Sequence, residues 1–166
     1  FNVSNNDKIN IFVLEKTTPN CLKDKTKDGI HIIFGISTPR AVQLLLRDTI
    51  LSEIDNVWSD LPIENTWEEV FDEGISKGFV NWQLYGSRKP GNKAYLIKNH
   101  YNITFNNEEW ELEEHNISSF KTEKMLPLLS ARYKNHICLE VKDSVKNDIE
   151  KYEKQSLKNK KRAPVK

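Results

Sequence analysis

The sequence is short of cysteine, of methionine and of continuous apolar residues, and each shortage removes a class of protein. Cys21 and Cys138 are its only cysteines, and neither lies in a CxxC or a short Cys/His spacing. A disulfide framework and a thiolate zinc site are therefore not expected, and a reducing, intracellular compartment is. Apolar stretches such as Ile32-Ile33-Phe34 and Leu44-Leu45-Leu46 fall far below the roughly 20 residues that cross a bilayer. The chain thus reads as soluble, with no membrane partner. Phe1 to Lys16 alternates polar residues with short apolar pairs and lacks the h-region of a secretion signal. The only methionine is Met125 while residue 1 is Phe, which reads as an excised or trimmed piece of a longer protein.

What is present suits one core under a heavily charged surface: 166 residues, 37% hydrophobic and 30% charged. With 20 Lys against 5 Arg, 17 Asn and 15 Ile, the usage is that of AT-rich codons. The net charge of +1 conceals an asymmetry, because residues 151–166 hold seven basic residues against Glu153 alone, while the rest holds 18 basic and 23 acidic ones. Residues 1–150 are expected to form the core and 151–166 a basic tail continuing a terminal helix. Lys160, Lys161 and Arg162 are its candidate nucleic-acid contacts, against the plainer reading of a solvated helix end.

Ile9 to Leu14 and Gly29 to Gly35 read as strands, joined by a polar loop or crossing. Ser37-Thr38-Pro39 opens a helix whose apolar positions are Val42, Leu45, Leu46, Ile50 and Ile54. Asn65 with Glu68 resembles a capping box. Phe79 to Tyr85, Ala94 to Ile97, Tyr101 to Phe105 and His136 to Val141 suggest further strands, separated by the Gly86 to Asn92 turn and by an exposed acidic stretch to Asn116. A helical turn over Met125 to Arg132 and a helix over Asp143 to Lys161 complete the pattern. Strands and helices without strict alternation predict an α+β fold, a mixed or antiparallel sheet packed by helices.

Three polar features stand where a strand or its border should be bland. His31 alternates with Ile30 and Ile32, so if those two pack the core it faces an open surface or cleft. Asp72 follows Val70-Phe71 and is either a turn residue or a hard-oxygen ligand for Mg²⁺. Gly86-Ser87-Arg88-Lys89-Pro90 combines backbone N–H groups, a hydroxyl and two cations, which suits a phosphate, although a plain hairpin turn uses the same residues.

Taken in order, GIHIIF, VFDEGI and NWQLYGSRKP resemble the archaeo-eukaryotic primase superfamily, in particular the primase domains fused to helicases in nucleocytoplasmic large DNA viruses. The resemblance spans about Ile9 to Ile97. It implies a primase-polymerase, RRM-like catalytic core, here incomplete, acting in primer synthesis by template-directed, two-metal nucleotidyl transfer. It places His31 at the nucleotide, Asp72 as a catalytic metal carboxylate, and Ser87, Arg88 and Lys89 at the triphosphate or template. It further implies Mg²⁺ or Mn²⁺, nucleoside triphosphates, a DNA template, a fused or associated helicase domain, and a viral replication site in host cytoplasm. Trp82 and Tyr85 are candidates to stack on bases, with core filling as the commoner role of such rings.

One departure bears on activity. Such primases carry a paired-carboxylate motif upstream of the histidine, whereas Asp7, Asp24 and Asp28 are isolated here. That motif is expected to lie before Phe1, and the chain alone is expected to be weak or inactive. The competing readings are a non-catalytic nucleic-acid or protein-binding module and a metal-dependent nuclease using His31 and Asp72. The remaining histidines, His100, His115 and His136, lack ligand spacing and read as structural or exposed.

Overall fold

The run KINIFVLEK is apolar on both faces, as a central strand must be, and it forms β1 (Lys8–Lys16) in a computed structural model of the chain. The structure describes residues 1–166 apart from 22, 25, 78–81, 131–132 and 163–166, and in the last helix only the side chains up to 155. A two-stranded hairpin of β2 (Asn20–Cys21) and β3 (Thr26–Lys27) occupies part of the expected loop. It is followed by β4 (Ile30–Phe34) and α1 (Arg40–Trp58). Two short helices, α2 (Trp67–Val70) and α3 (Glu73–Lys77), precede β5 (Tyr95–Asn106) and β6 (Glu109–His115). A 3₁₀ turn at Ile117–Ser119, α4 (Thr122–Met125) running into a 3₁₀ turn, a further 3₁₀ turn at Asp143–Val145 and α5 (Lys146–Arg162) complete the described elements.

The chain divides into two units: residues 2–37 with 83–140, and residue 1 with 38–82 and 141–166. In the first, four of the described strands form a sheet in the order β4-β1-β5-β6, every neighbouring pair antiparallel. Phe12 and Leu14 are fully buried on one face with Tyr95 and Leu129. Met125, Leu128 and Leu129, from α4 and the turn after it, pack on this face, so the fold is an α+β sheet packed by helical segments.

A bulge in β5 sets which residues share that face. Val13 pairs with Asn99 and Leu14 with Ile97, leaving Lys98 as the extra residue. Strand alternation would set Tyr95 and His100 on opposite faces. The extra residue reverses the phase, so that Tyr95 and Ile97 join His100 and Asn102 on the side of Phe12 and Leu14. That phase break is why one continuous strand reads in the sequence as two, Ala94 to Ile97 and Tyr101 to Phe105.

Other expectations are corrected. The acidic stretch after Asn106 is indeed exposed, but it is the edge strand β6, joined to β5 by Asn107 and Glu108, both at positive φ (49° and 68°) as a two-residue I′ turn requires. Its Trp110 and Leu112 alternate with glutamates, the period of a strand. Residues 82–84 have no regular structure and Tyr85 enters a turn, so the described part of the expected 79–85 strand is absent; 78–81 lie outside the described residues. His136 to Val141 contributes one parallel bridge, Ile36 to Ile137, in place of a strand. The capping box uses Thr66 and Glu69, one residue later than expected, because the Thr66 hydroxyl accepts the Glu69 N–H while the Glu69 carboxylate accepts that of Thr66. Helix α1 begins at Arg40 with Pro39 outside it and no side-chain cap.

In the helical unit α1 packs against α5, with Tyr152 donating from its hydroxyl to the Asp48 carboxylate. This bond pushes the phenol up to about 12. Arg47 of α1 donates from Nε to the Phe71 carbonyl (2.9 Å) and from an Nη to that of Glu68 (3.3 Å), which ties the α2 segment to α1. No helix among the described residues is long and apolar enough to cross a membrane.

Candidate nucleotide site

The register of the sheet corrects the direction of His31. Leu14 lies opposite His31 and Phe12 opposite Ile33, so these two β4 residues face the core side. Ile30, Ile32 and Phe34 face the other way and are 60%, 45% and 51% exposed. The pattern IHIIF is apolar on both faces and does not reveal which one packs; pairing with the fully buried Phe12 and Leu14 decides it.

Two contacts with described residues fix the His31 ring. Its ring stacks on Tyr95, with centroids 3.8 Å apart and planes 13° apart. Its Nδ1 lies 2.9 Å from the Gln83 carbonyl oxygen. A carbonyl only accepts, so Nδ1 carries a proton, and a bond to any ligand is made by Nε2. Burial lowers the His31 pKa below its ordinary value, with the Gln83 carbonyl opposing and the Lys16 cation adding to the shift. The imidazole is therefore mainly neutral at pH 7, with Nε2 a hydrogen-bond acceptor that becomes a donor on protonation.

Tyr95 gathers the surrounding charges. Lys16 Nζ lies 4.8 Å from its ring centroid. Burial raises the phenol pKa, Asp28 raises it further, and Lys89 lowers it. Lys89 of the basic turn thus acts on the ring against which His31 is stacked. The backbone makes the same connection, since the Gly86 N–H donates to the Tyr95 carbonyl (2.8 Å).

The turn offers less than its sequence promises. Gly86, at φ 75°, spends its N–H on Tyr95. Ser87 donates from both its N–H (3.0 Å) and its hydroxyl (2.7 Å) to the Leu84 carbonyl. Ser87 closes the turn, and what the segment presents to an anion is the side chains of Arg88 and Lys89. Tyr85 packs against the core, its ring tilted 51° to that of Phe120. That commits it to packing, while Trp82 is half-buried in irregular chain. The side chains of Lys160, Lys161 and Arg162 lie outside the described residues.

Asp72 belongs to the helical unit, directly after the Phe71 carbonyl that Arg47 holds. Its Oδ1 accepts the N–H of Gly74 at the start of α3 (2.7 Å), as a helix-capping carboxylate does. Among the described residues no group of three or more His, Cys, Asp or Glu could hold a metal ion. The donors among the described residues do not fit a two-metal centre.

The sequence does not mark Tyr95, Lys16 or Gln83 as functional. The signal for Tyr95 was its place between the basic turn and a strand; the signal for Gln83 was absent, because its backbone makes the contact. His100 is buried, stacked on Phe12 at 4.4 Å and bonded through Nε2 to the Asn10 amide oxygen (3.0 Å). His115 meets it at 4.6 Å between ring centroids and touches the Asn102 amide. Both are part of the sheet's packing.

Two comparisons bear on this arrangement. A mimivirus protein named as a helicase (L207/L206, Acanthamoeba polyphaga mimivirus) is 32% identical over 100 residues, which cover 58% of this chain and 10% of that protein. The family model described as the C962R protein N-terminal AEP domain matches residues 1–101, a span that holds β1, β4, the histidine, the basic turn and the first half of β5. An α+β fold with an antiparallel sheet, a strand histidine facing inward beside a lysine-bearing turn, and a match over more than half its length place this chain in the C962R-type AEP domain family of archaeo-eukaryotic primases.

Proposed function

We propose that the chain is the nucleotide-holding part of the DNA primase or primase-polymerase domain of a viral replicative primase-helicase. The observation that carries this reading is the His31–Tyr95 stack, with Lys16 over the tyrosine ring and the basic turn tied to the Tyr95 carbonyl through the Gly86 N–H. This arrangement joins a titratable donor/acceptor to cations on a rigid sheet, which is what a triphosphate requires. In it, His31 Nε2 bonds the nucleotide, and Arg88 and Lys89 offset the charge of the phosphates. The partners of the intact protein are nucleoside triphosphates, a DNA template and a helicase domain, fused as the length of the mimivirus relative suggests.

Asp72 remains the metal-carboxylate candidate of this reading; among the described residues no group of three or more His, Cys, Asp or Glu could hold a metal ion, so the chain alone is taken to bind nucleotide without polymerising it. Domain organisation follows the same reading, with catalytic-core residues through about 150 and a basic terminal helix that contacts nucleic acid.

The test is triphosphate binding by the whole chain, wild type against Arg88→Ala/Lys89→Ala. Two exposed charged contacts at about 1 kcal/mol or more each predict a loss of roughly tenfold or more, steeper at low salt, with an unchanged melting curve. Wild-type affinity in the double variant refutes the assignment, and wild-type protein that binds no triphosphate refutes the function.

A further inference from the structure

Several contacts in the sheet unit converge on one residue that the motifs do not name. Tyr95 is 5% exposed, stacks on His31, carries Lys16 over its ring, and accepts through its carbonyl the N–H of Gly86 at the head of the basic turn. Its phenol lies against residue 29, a glycine, where a Cβ would stand 2.8 Å from the Tyr95 oxygen. The Lys98 bulge is what turns Tyr95 to this face.

We propose that Tyr95 is the positioning residue of the nucleotide site: its ring holds the His31 imidazole in a single orientation, so that Nε2 meets the nucleotide, and its main chain carries the Arg88-Lys89 turn. The proposal rests on the nucleotide-site reading above and names a residue through which that site is organised. The stack fixes the ring plane, and the Gln83 carbonyl fixes which nitrogen bears the proton. Together they remove the two freedoms, ring rotation and tautomer, that a lone strand histidine would have to give up on binding. The charged groups facing the pair are Lys16 from β1, Asp28 before β4 and Lys89 from the turn.

The experiment follows the His31 imidazole by NMR across pH and measures dATP binding, on the whole chain, for wild type, Tyr95→Phe and Tyr95→Leu. Tyr95→Phe keeps the ring and is expected to leave the His31 titration in place and dATP affinity within about twofold of wild type. Tyr95→Leu removes the stack; the His31 midpoint then rises toward the ordinary imidazole value, its nitrogen shifts report mixed tautomers, and dATP affinity falls about tenfold or more. If Tyr95→Leu does not fold, Gly29→Ala, which pushes on the phenol, is expected to move both readouts in the same direction, and Tyr95→Phe in that background to restore them. A folded Tyr95→Leu with wild-type titration and wild-type affinity overturns the proposal, as does Gly29→Ala without effect on either. Wild-type protein that binds no dATP defeats the nucleotide reading instead, and the titrations still decide whether Tyr95 governs His31.

Discussion

Replacing Gly29 by Ala adds a single methyl group, and the structure fixes where it goes. The new Cβ would stand 2.8 Å from the Tyr95 oxygen, about 0.6 Å inside ordinary contact distance. The phenol is the far end of a side chain, but that side chain is 5% exposed and stacked at 3.8 Å on His31. It cannot swing aside without carrying its ring off the imidazole. Overpacking of this kind costs about 1–3 kcal/mol. Gly29 is not among the positive-φ glycines, so Ala is free of backbone strain and regains about 0.4–1 kcal/mol by restricting the unfolded chain. The net destabilisation expected is therefore about 1 kcal/mol, or about 2–4 °C in Tm for a chain of this size. A double-mutant cycle isolates the cause. In a Tyr95→Phe background the clashing oxygen is gone, and Gly29→Ala should become neutral or slightly stabilising, giving a coupling of about 1 kcal/mol or more between the two sites. Urea melts of the four proteins measure it. A Gly29→Ala protein as stable as wild type, or an equal loss in both backgrounds, refutes the phenol–glycine contact as the reason residue 29 is small.

Further outcomes follow from the same contacts. Leu14→Ala empties a fully buried position at the centre of the sheet and should cost about 2–5 kcal/mol in a denaturant melt; a loss under 1 kcal/mol would contradict the core assigned to β1. Burial lowers the pKa of both His31 and His100 in the folded chain, helped at His100 by His115 and Lys8 and opposed by Glu113. The unfolded state then binds more protons below the ordinary imidazole value of about 6.5, so stability is full above that pH and declines as pH falls through it. Melts at pH 7.5 and 5.5 test this, and a His100→Asn variant should show a smaller decline. Supplied with a DNA template, triphosphates and Mg²⁺, the whole chain should incorporate no nucleotide, and robust incorporation in a gel assay would show that its donor set is complete.

How much of this was legible follows from the local signals. Strands β1 and β4 and the helices α1 and α5 announce themselves through apolar runs and helical spacing, since each carries its pattern within one segment. Strand β6 was hidden because its polar residues are glutamates, which read as a solvated stretch although Trp110 and Leu112 keep the period of a strand. The bulge at Lys98 was hidden for the opposite reason: it breaks the period of a single strand, and only pairing with β1 shows that Tyr95 and His100 share a face. His31 was found by residue type and order, but its direction depends on which face of β4 packs, a property of Phe12 and Leu14 rather than of its own neighbours. The contacts that hold it come from residues 52 and 64 positions later, one of them through a backbone carbonyl that no side-chain pattern encodes. The basic turn was legible as a turn, whereas the spending of Ser87 on Leu84 was not.

In the proposed site His31 bonds a nucleotide through Nε2. The dissociation constant of dATP for wild type and His31→Ala, measured between pH 8 and 5, tests this bond. A phosphate oxygen accepts only from protonated Nε2, so wild-type affinity should rise as pH falls through the His31 transition, and His31→Ala should bind about tenfold or more weakly at the low end, with a flatter profile. Equal affinity and equal pH dependence in the two proteins, both folded, would contradict this role of His31.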